Sequence, residues 1–94
     1  MKENFIYILS NKNRKVLYIG VTSNLLKRIE EHKNGIGSIF TKKYNVHDLL
    51  YVEEFNDINL AIKREKQLKN WNKAWEWNLI KETNPNLIDL YDQL

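Results

Sequence analysis

The run Phe5-Ile6-Tyr7-Ile8-Leu9-Ser10-Asn11-Lys12-Asn13-Arg14-Lys15-Val16-Leu17-Tyr18-Ile19-Gly20-Val21 reads as a β-hairpin. Its two arms are aromatic and β-branched, and Asn11 to Arg14 is a polar turn between them. If that turn is the whole loop, Ser10 pairs with Lys15 and Tyr7 stands directly opposite Tyr18. Side chains alternate along a strand, so Phe5, Tyr7, Leu9, Val16, Tyr18 and Gly20 would then share one face. A slip of one residue would put the two phenols on opposite faces.

Outward from the hairpin, Thr22-Ser23-Asn24 offers helix caps, and Leu25, Leu26 and Ile29 recur at helical spacing up to Asn34-Gly35, a natural stop. Residues 35–44 are basic and irregular, with room for one helical turn. Leu49 to Phe55 reads as a third strand. Asp57 can cap a helix from Ile58 to about Trp71, and a further helix runs from Lys73 to Glu82, ended by Asn84-Pro85. Leu87, Ile88, Leu90 and Tyr91 then pack back. The expectation is an α/β chain of the α+β type, a single domain over residues 1–94. It has the order β-β-α-β-α-α and a three-stranded, mostly antiparallel sheet flanked by helices.

Ninety-four residues with 43% hydrophobic and 29% charged side chains describe an ordinary small folded domain. The absence of Cys excludes a disulfide scaffold, a thiolate zinc site and a Cys nucleophile. The longest apolar run, Phe5 to Leu9, is too short for a signal core or a membrane span, so a cytoplasmic protein with no membrane partner is expected. All 15 Lys and Arg lie at or before Lys81, whereas three of the 12 acids, Glu82, Asp89 and Asp92, follow it. A basic body with an acidic tail suits a polyanionic partner.

Two strand tyrosines are ordinarily cross-strand packing. In a site, a phenol can also hold a phosphate oxygen or a water, and Gly20 beside Tyr18 would let a metal or phosphate approach the sheet. Arg28 and His32, four apart on one helix face, are either a solvated surface or a guanidinium that clamps phosphate beside an imidazole that moves protons. Glu65 is the local anomaly. It falls in the apolar stripe Ile58, Ala61, Ile62, Leu68, while Lys63, Arg64 and Lys66 point to other faces. A carboxylate aimed at the sheet needs a cation or hydrogen bonds: a pair with Arg28 or a Lys, or a divalent ion, unless it is a rim Glu reaching solvent. Trp71, Trp75 and Trp77 read as helix packing, with base stacking as the other use. Lys42, Lys43, Lys63, Lys66, Lys69 and Lys73 are solvated charges or contacts to a phosphate backbone. There is no P-loop, dinucleotide fingerprint, H-E-x-x-H or nucleophile elbow.

Taken together, Phe5-Ile6-Tyr7, ten intervening residues and Tyr18-Ile19-Gly20 resemble the paired signature of the GIY-YIG nuclease superfamily. Arg28-x-x-x-His32 follows, then Glu65 on a later helix and Asn84-Pro85 near the end. The runs from Tyr18 to Lys33 and from Ala61 to Trp71 are similar to its small stand-alone bacterial branch. Phe5 stands where the signature has Gly.

The resemblance implies a metal-dependent endonuclease acting on DNA, with RNA left open and single-stranded or structured DNA favoured. It implies one Mg²⁺ or Mn²⁺ on Glu65, Tyr7 and Tyr18 as active-site tyrosines, Arg28 on the phosphate and His32 as the associated histidine. Asn84 would be a late structural or site-adjacent asparagine. A tyrosine assisted by His32 would deprotonate the attacking water, with Tyr18 slightly favoured over Tyr7, and the products would be 5′-phosphate and 3′-hydroxyl ends. Lys42, Lys43, Lys66, Lys69 and Lys73 would hold the backbone, and the protein would act as a monomer or weak homodimer. The alternative is a nucleic-acid-binding or adaptor module on the same scaffold.

Overall fold

The computed structural model describes residues 3–94. Strand β1 (Asn4–Ser10) and strand β2 (Leu17–Thr22) form the hairpin. Helix α1 (Leu25–Lys33) and a short helix α2 (Ile39–Lys43) follow. Strand β3 (Asp48–Phe55), helix α3 (Ile58–Lys69), helix α4 (Lys73–Thr83) and a final 3₁₀ turn (Tyr91–Gln93) complete the chain. The order is therefore β-β-α-α-β-α-α, with the single turn anticipated near residue 40 formed as α2. The sheet order is β2-β1-β3, antiparallel throughout.

The caps follow the sequence. Asn24 accepts the N–H of Lys27, Asp57 that of Asn59 and Asn72 that of Trp75. Helix α1 ends in a Schellman motif. Gly35, at φ 77°, sends its N–H to His32, and the Ile36 N–H bonds the Glu31 carbonyl.

The hairpin register differs from the expected one. Ser10 pairs with Leu17, Leu9 with Tyr18 and Tyr7 with Gly20. The cause is the Asn11 side chain, whose oxygen accepts the N–H groups of both Lys15 and Val16, at 2.9 and 3.1 Å. These residues are drawn out of the ladder into a longer loop. Arg14, at φ 57°, closes the turn and ties it to Asp48 at 2.7 Å and to the Leu87 carbonyl at 2.8 Å. The partner of Tyr7 moves by two positions, which preserves parity, so both phenols stay on one face.

Because β1 is central, both its faces are covered, and Ile6 through Ser10 are all buried. Ile6, Ile8, Ile19, Leu50 and Tyr51 pack against Ala61 and Leu68 of α3 and Ile80 of α4. On the opposite face Tyr7, Leu9 and Leu49 pack against Leu25 and Ile29 of α1 and against Val46. The stripe of α3 needs correcting. Its inward face is Ala61, Arg64, Glu65 and Leu68, while Ile58 and Ile62 are exposed. Arg64 points inward because Glu53 of β3 receives it, with Nε and Nη2 donating to the carboxylate at 3.0 and 2.9 Å. The guanidinium also lies 5.3 Å from the Trp71 ring centre.

Candidate active site

Tyr7 is buried on the central strand with its ring laid over Gly20. A Cβ at residue 20 would overlap the Tyr7 Cζ and hydroxyl. Gly20 therefore makes room for the phenol, and the space expected to admit a metal or phosphate is filled by that ring. The Tyr7 hydroxyl lies 2.9 Å from His32 Nε2 and accepts a hydrogen bond from Arg28 Nε at 3.3 Å. Helical spacing is what delivers both groups: Arg28 and His32 are one turn apart on α1, so both reach the same hydroxyl.

Burial is the main force on this phenol. With the charge of Glu65 adding to it, burial outweighs the Arg28 hydrogen bond and charge, and the Tyr7 pKa is pushed up to about 12. Burial and the adjacent Arg28 cation push His32 down to about 4, so the imidazole is neutral near pH 7. Arg28 is held above its ordinary range chiefly by its bond to Tyr7. About a third of the Arg28 side chain is exposed, and its other end pairs with Glu31 at 3.2 Å.

Tyr18 is half-buried, with its ring centre 6.3 Å from Tyr7, 5.4 Å from His32 and 6.0 Å from Phe40, on which it stacks. Leu17, Tyr18, Ile19, Phe40, Lys69 and Glu76 line a shallow depression beside it. Two phenols, the guanidinium and the imidazole are thus brought together on one face of the sheet.

Glu65 arrives from α3, which packs on the other face. Its side chain is 20% exposed, and its ion pair is a long one, 3.4 Å to the solvated Lys69. No hydrogen bond joins it to the tyrosines, Arg28 or His32 among the described residues, although its charge acts on the Tyr7 hydroxyl. Among the described residues, no three His, Asp or Glu side chains form a ready-made metal cluster. An inward carboxylate with only a loose Lys partner fits a hard divalent cation that takes its other ligands from water and phosphate.

Asn84 is a structural residue. It is buried at the end of α4, with Nδ2 donating to the carbonyls of Leu50 and Ile88 and Oδ1 accepting the Ile88 N–H. Among the described residues it makes no side-chain hydrogen bond to any of the five candidate groups. Lys42, Lys43 and Lys66 are exposed, and Lys73 donates to the Lys15 carbonyl at 2.7 Å, bracing the hairpin loop. Of the tryptophans, Trp71 and Trp77 pack against the core, while Trp75 is exposed, edge-on to Trp71 at 6.0 Å.

Residues with no motif of their own in the sequence hold His32 from behind. Nδ1 lies 3.0 Å from the hydroxyl of buried Thr41, which lies 2.9 Å from the Ser38 hydroxyl. A Cβ at Gly37 would overlap the imidazole. The one local signal was the spacing of Ser38 and Thr41, a cap and its third residue.

Residues 3–89 match the family model of the GIY-YIG catalytic domain. A UPF0213 protein of Syntrophus aciditrophicus is 37% identical over 86 residues, covering 90% of this chain and 97% of the relative. Another, from Clostridium perfringens, is 38% identical over 77 residues, 82% of each chain. The solution NMR structure of a UPF0213 protein from Bacillus halodurans superposes with a TM-score of 0.56 over 86% of this chain and 85% of that one. At 23% identity it speaks for the fold alone.

Proposed function

The chain belongs to the GIY-YIG catalytic domain family, and from that premise we propose that it is a metal-dependent endonuclease that hydrolyses phosphodiester bonds in DNA. The observation that carries this reading is the Tyr7 hydroxyl, bonded at once to a guanidinium and to a neutral imidazole. A buried structural tyrosine needs one hydrogen-bond partner, but not a cation and a neutral base together.

With its pKa near 12, Tyr7 supplies little free phenolate at neutral pH. Its role is a relay. The phenol oxygen takes a proton from the attacking water while the phenol passes its own proton to His32 Nε2. The water oxygen then attacks phosphorus and the P–O3′ bond breaks; the leaving 3′ oxygen takes a proton from solvent and His32 returns its own to solvent, giving 5′-phosphate and 3′-hydroxyl ends. Tyr7 takes this role in preference to Tyr18, because among the described residues only the Tyr7 hydroxyl is hydrogen-bonded to His32. Tyr18 instead flanks the opening, where its half-buried ring and hydroxyl can meet the substrate. Arg28, partly exposed, binds the scissile phosphate and offsets the charge gained in the transition state. That phosphate also relieves the Arg28 field that depresses His32, so substrate raises the proton affinity of the relay's final acceptor. Glu65 would hold one Mg²⁺ or Mn²⁺, which when bound supplies Lewis-acid stabilisation of the phosphate and leaving oxygens.

The test is cleavage of end-labelled single-stranded, duplex and branched DNA, and of RNA, with Mg²⁺ or Mn²⁺, by the wild type and Glu65→Ala. Cleavage should fall by about 10³-fold or more in the variant, with an unchanged circular dichroism spectrum. Full activity in Glu65→Ala contradicts the assignment. Salt-sensitive binding with no cleavage by the wild type points instead to an adaptor module.

A further inference from the structure

The His32 imidazole is buried and neutral, so one of its ring nitrogens carries a proton and the other does not. Counting donors along the chain fixes which. Arg28 Nε has only a proton to give, so the Tyr7 oxygen accepts there. Among the described residues the other partner of that hydroxyl is His32 Nε2, so the Tyr7 proton has to go to Nε2. Nε2 is then the bare nitrogen, and Nδ1 carries hydrogen toward Thr41 Oγ1. Thr41 can accept it because its own hydroxyl proton has another place to go, the Ser38 carbonyl at 3.3 Å. The Ser38 hydroxyl in turn accepts the Thr41 N–H at 3.1 Å. In the opposite arrangement Nε2–H would donate to Tyr7, and the buried phenol proton would have no acceptor among the described residues, the costly state for a buried donor.

We propose that Thr41, seated by Ser38, is a positioning residue that locks His32 in the Nδ1–H tautomer and keeps the Nε2 lone pair on the Tyr7 hydroxyl, with the bare Cα of Gly37 leaving the room the ring needs. Helix α2 then has a purpose beyond bridging α1 and β3: its first turn carries the hydroxyl that sets the imidazole. This inference rests on the relay reading for its consequence in catalysis, but the tautomer itself is measurable without substrate.

The experiment records the ¹⁵N and ¹H imidazole resonances of His32 near pH 7 in the wild type, Thr41→Val, Thr41→Ser and Ser38→Ala, alongside cleavage kinetics. The wild type and Thr41→Ser should show protonated Nδ1 and bare Nε2. Thr41→Val, which keeps the shape and removes the acceptor, should move the population to Nε2–H. Its kcat should fall about 10–100-fold at unchanged KM, in line with the loss of a group that orients a functional histidine. Ser38→Ala, which loosens Thr41, should give a mixture. An Nε2–H imidazole in the wild type overturns the proposal. So does a single Nδ1–H species in both Thr41→Val and Ser38→Ala. A wild type with the expected tautomer and no cleavage on any substrate would remove the nuclease reading and leave the lock standing.

Discussion

Ile6 and Ile8 leave β1 on one face, Tyr7 and Leu9 on the other, and the interiors they enter differ in kind. The first is an apolar layer under α3 and α4, with its polar groups, Tyr51, Glu53 and Arg64, tied to one another along its border. The second, under α1 and α2, holds a buried polar chain that runs from Arg28 through Tyr7 and His32 to Thr41. An apolar interior tolerates modest rearrangement, because dispersion and hydrophobic burial have no direction. A chain of hydrogen bonds fixes the position and orientation of every member. One face therefore supplies mainly stability, with the Glu65 carboxylate of α3 as its one candidate contribution to the site, and the other supplies the hydrogen-bonded groups; the same central strand serves both.

If that division is right, damage to the two faces should separate. Leu68→Ala, in the apolar layer, should destabilise the fold by about 2–5 kcal/mol, read by urea denaturation. Well below its melting point the variant should cleave at the wild-type rate, and a large fall in kcat would blur the division. Protons sharpen it from the other side. The His32 pKa is near 4 in the folded chain, against 6.5 for an ordinary histidine, so the unfolded chain binds the extra proton between those values. Stability contributed by neutral His32 is full above pH 6.5 and is lost as pH falls toward 4, by up to about 3 kcal/mol. Denaturation across that window should show the slope in the wild type and a shallower one in His32→Gln; equal slopes would assign it to other groups. The smallest effect belongs to the surface. Lys42→Ala with Lys43→Ala should raise KM for DNA a few-fold, about 1 kcal/mol, and flatten its salt dependence while leaving kcat alone. No change in the salt slope would move the backbone contact elsewhere.

What was legible in the sequence depended on local rules. Side-chain alternation placed both phenols on one face, and helical spacing placed Arg28 beside His32 and turned Glu65 inward. Asn24 and Asp57 announced their helices by cap chemistry. The hairpin register was not legible, because the Asn11 side chain competes with the ladder for the Lys15 and Val16 N–H groups, and no periodicity records that competition. Arg64 was assigned outward because its partner, Glu53, lies on a strand remote in sequence. Thr41, Ser38 and Gly37 were hidden for a related reason. Their importance lies in a contact with His32 that exists only once α1 and α2 have folded together. Gly20 was noticed for its missing side chain, yet the occupant of that space is a tyrosine of the neighbouring strand.

Proton movement by the Tyr7 hydroxyl is read most closely by the single-turnover rate of DNA cleavage by Tyr7→Phe with saturating Mg²⁺ or Mn²⁺. The substitution removes one oxygen and leaves the ring over Gly20. That rate should fall about 10²–10⁴-fold, with DNA affinity nearly unchanged and the fold intact. A Tyr7→Phe protein that cleaves as fast as the wild type would contradict that proton movement and leave Tyr7 as a packing residue on a buried strand.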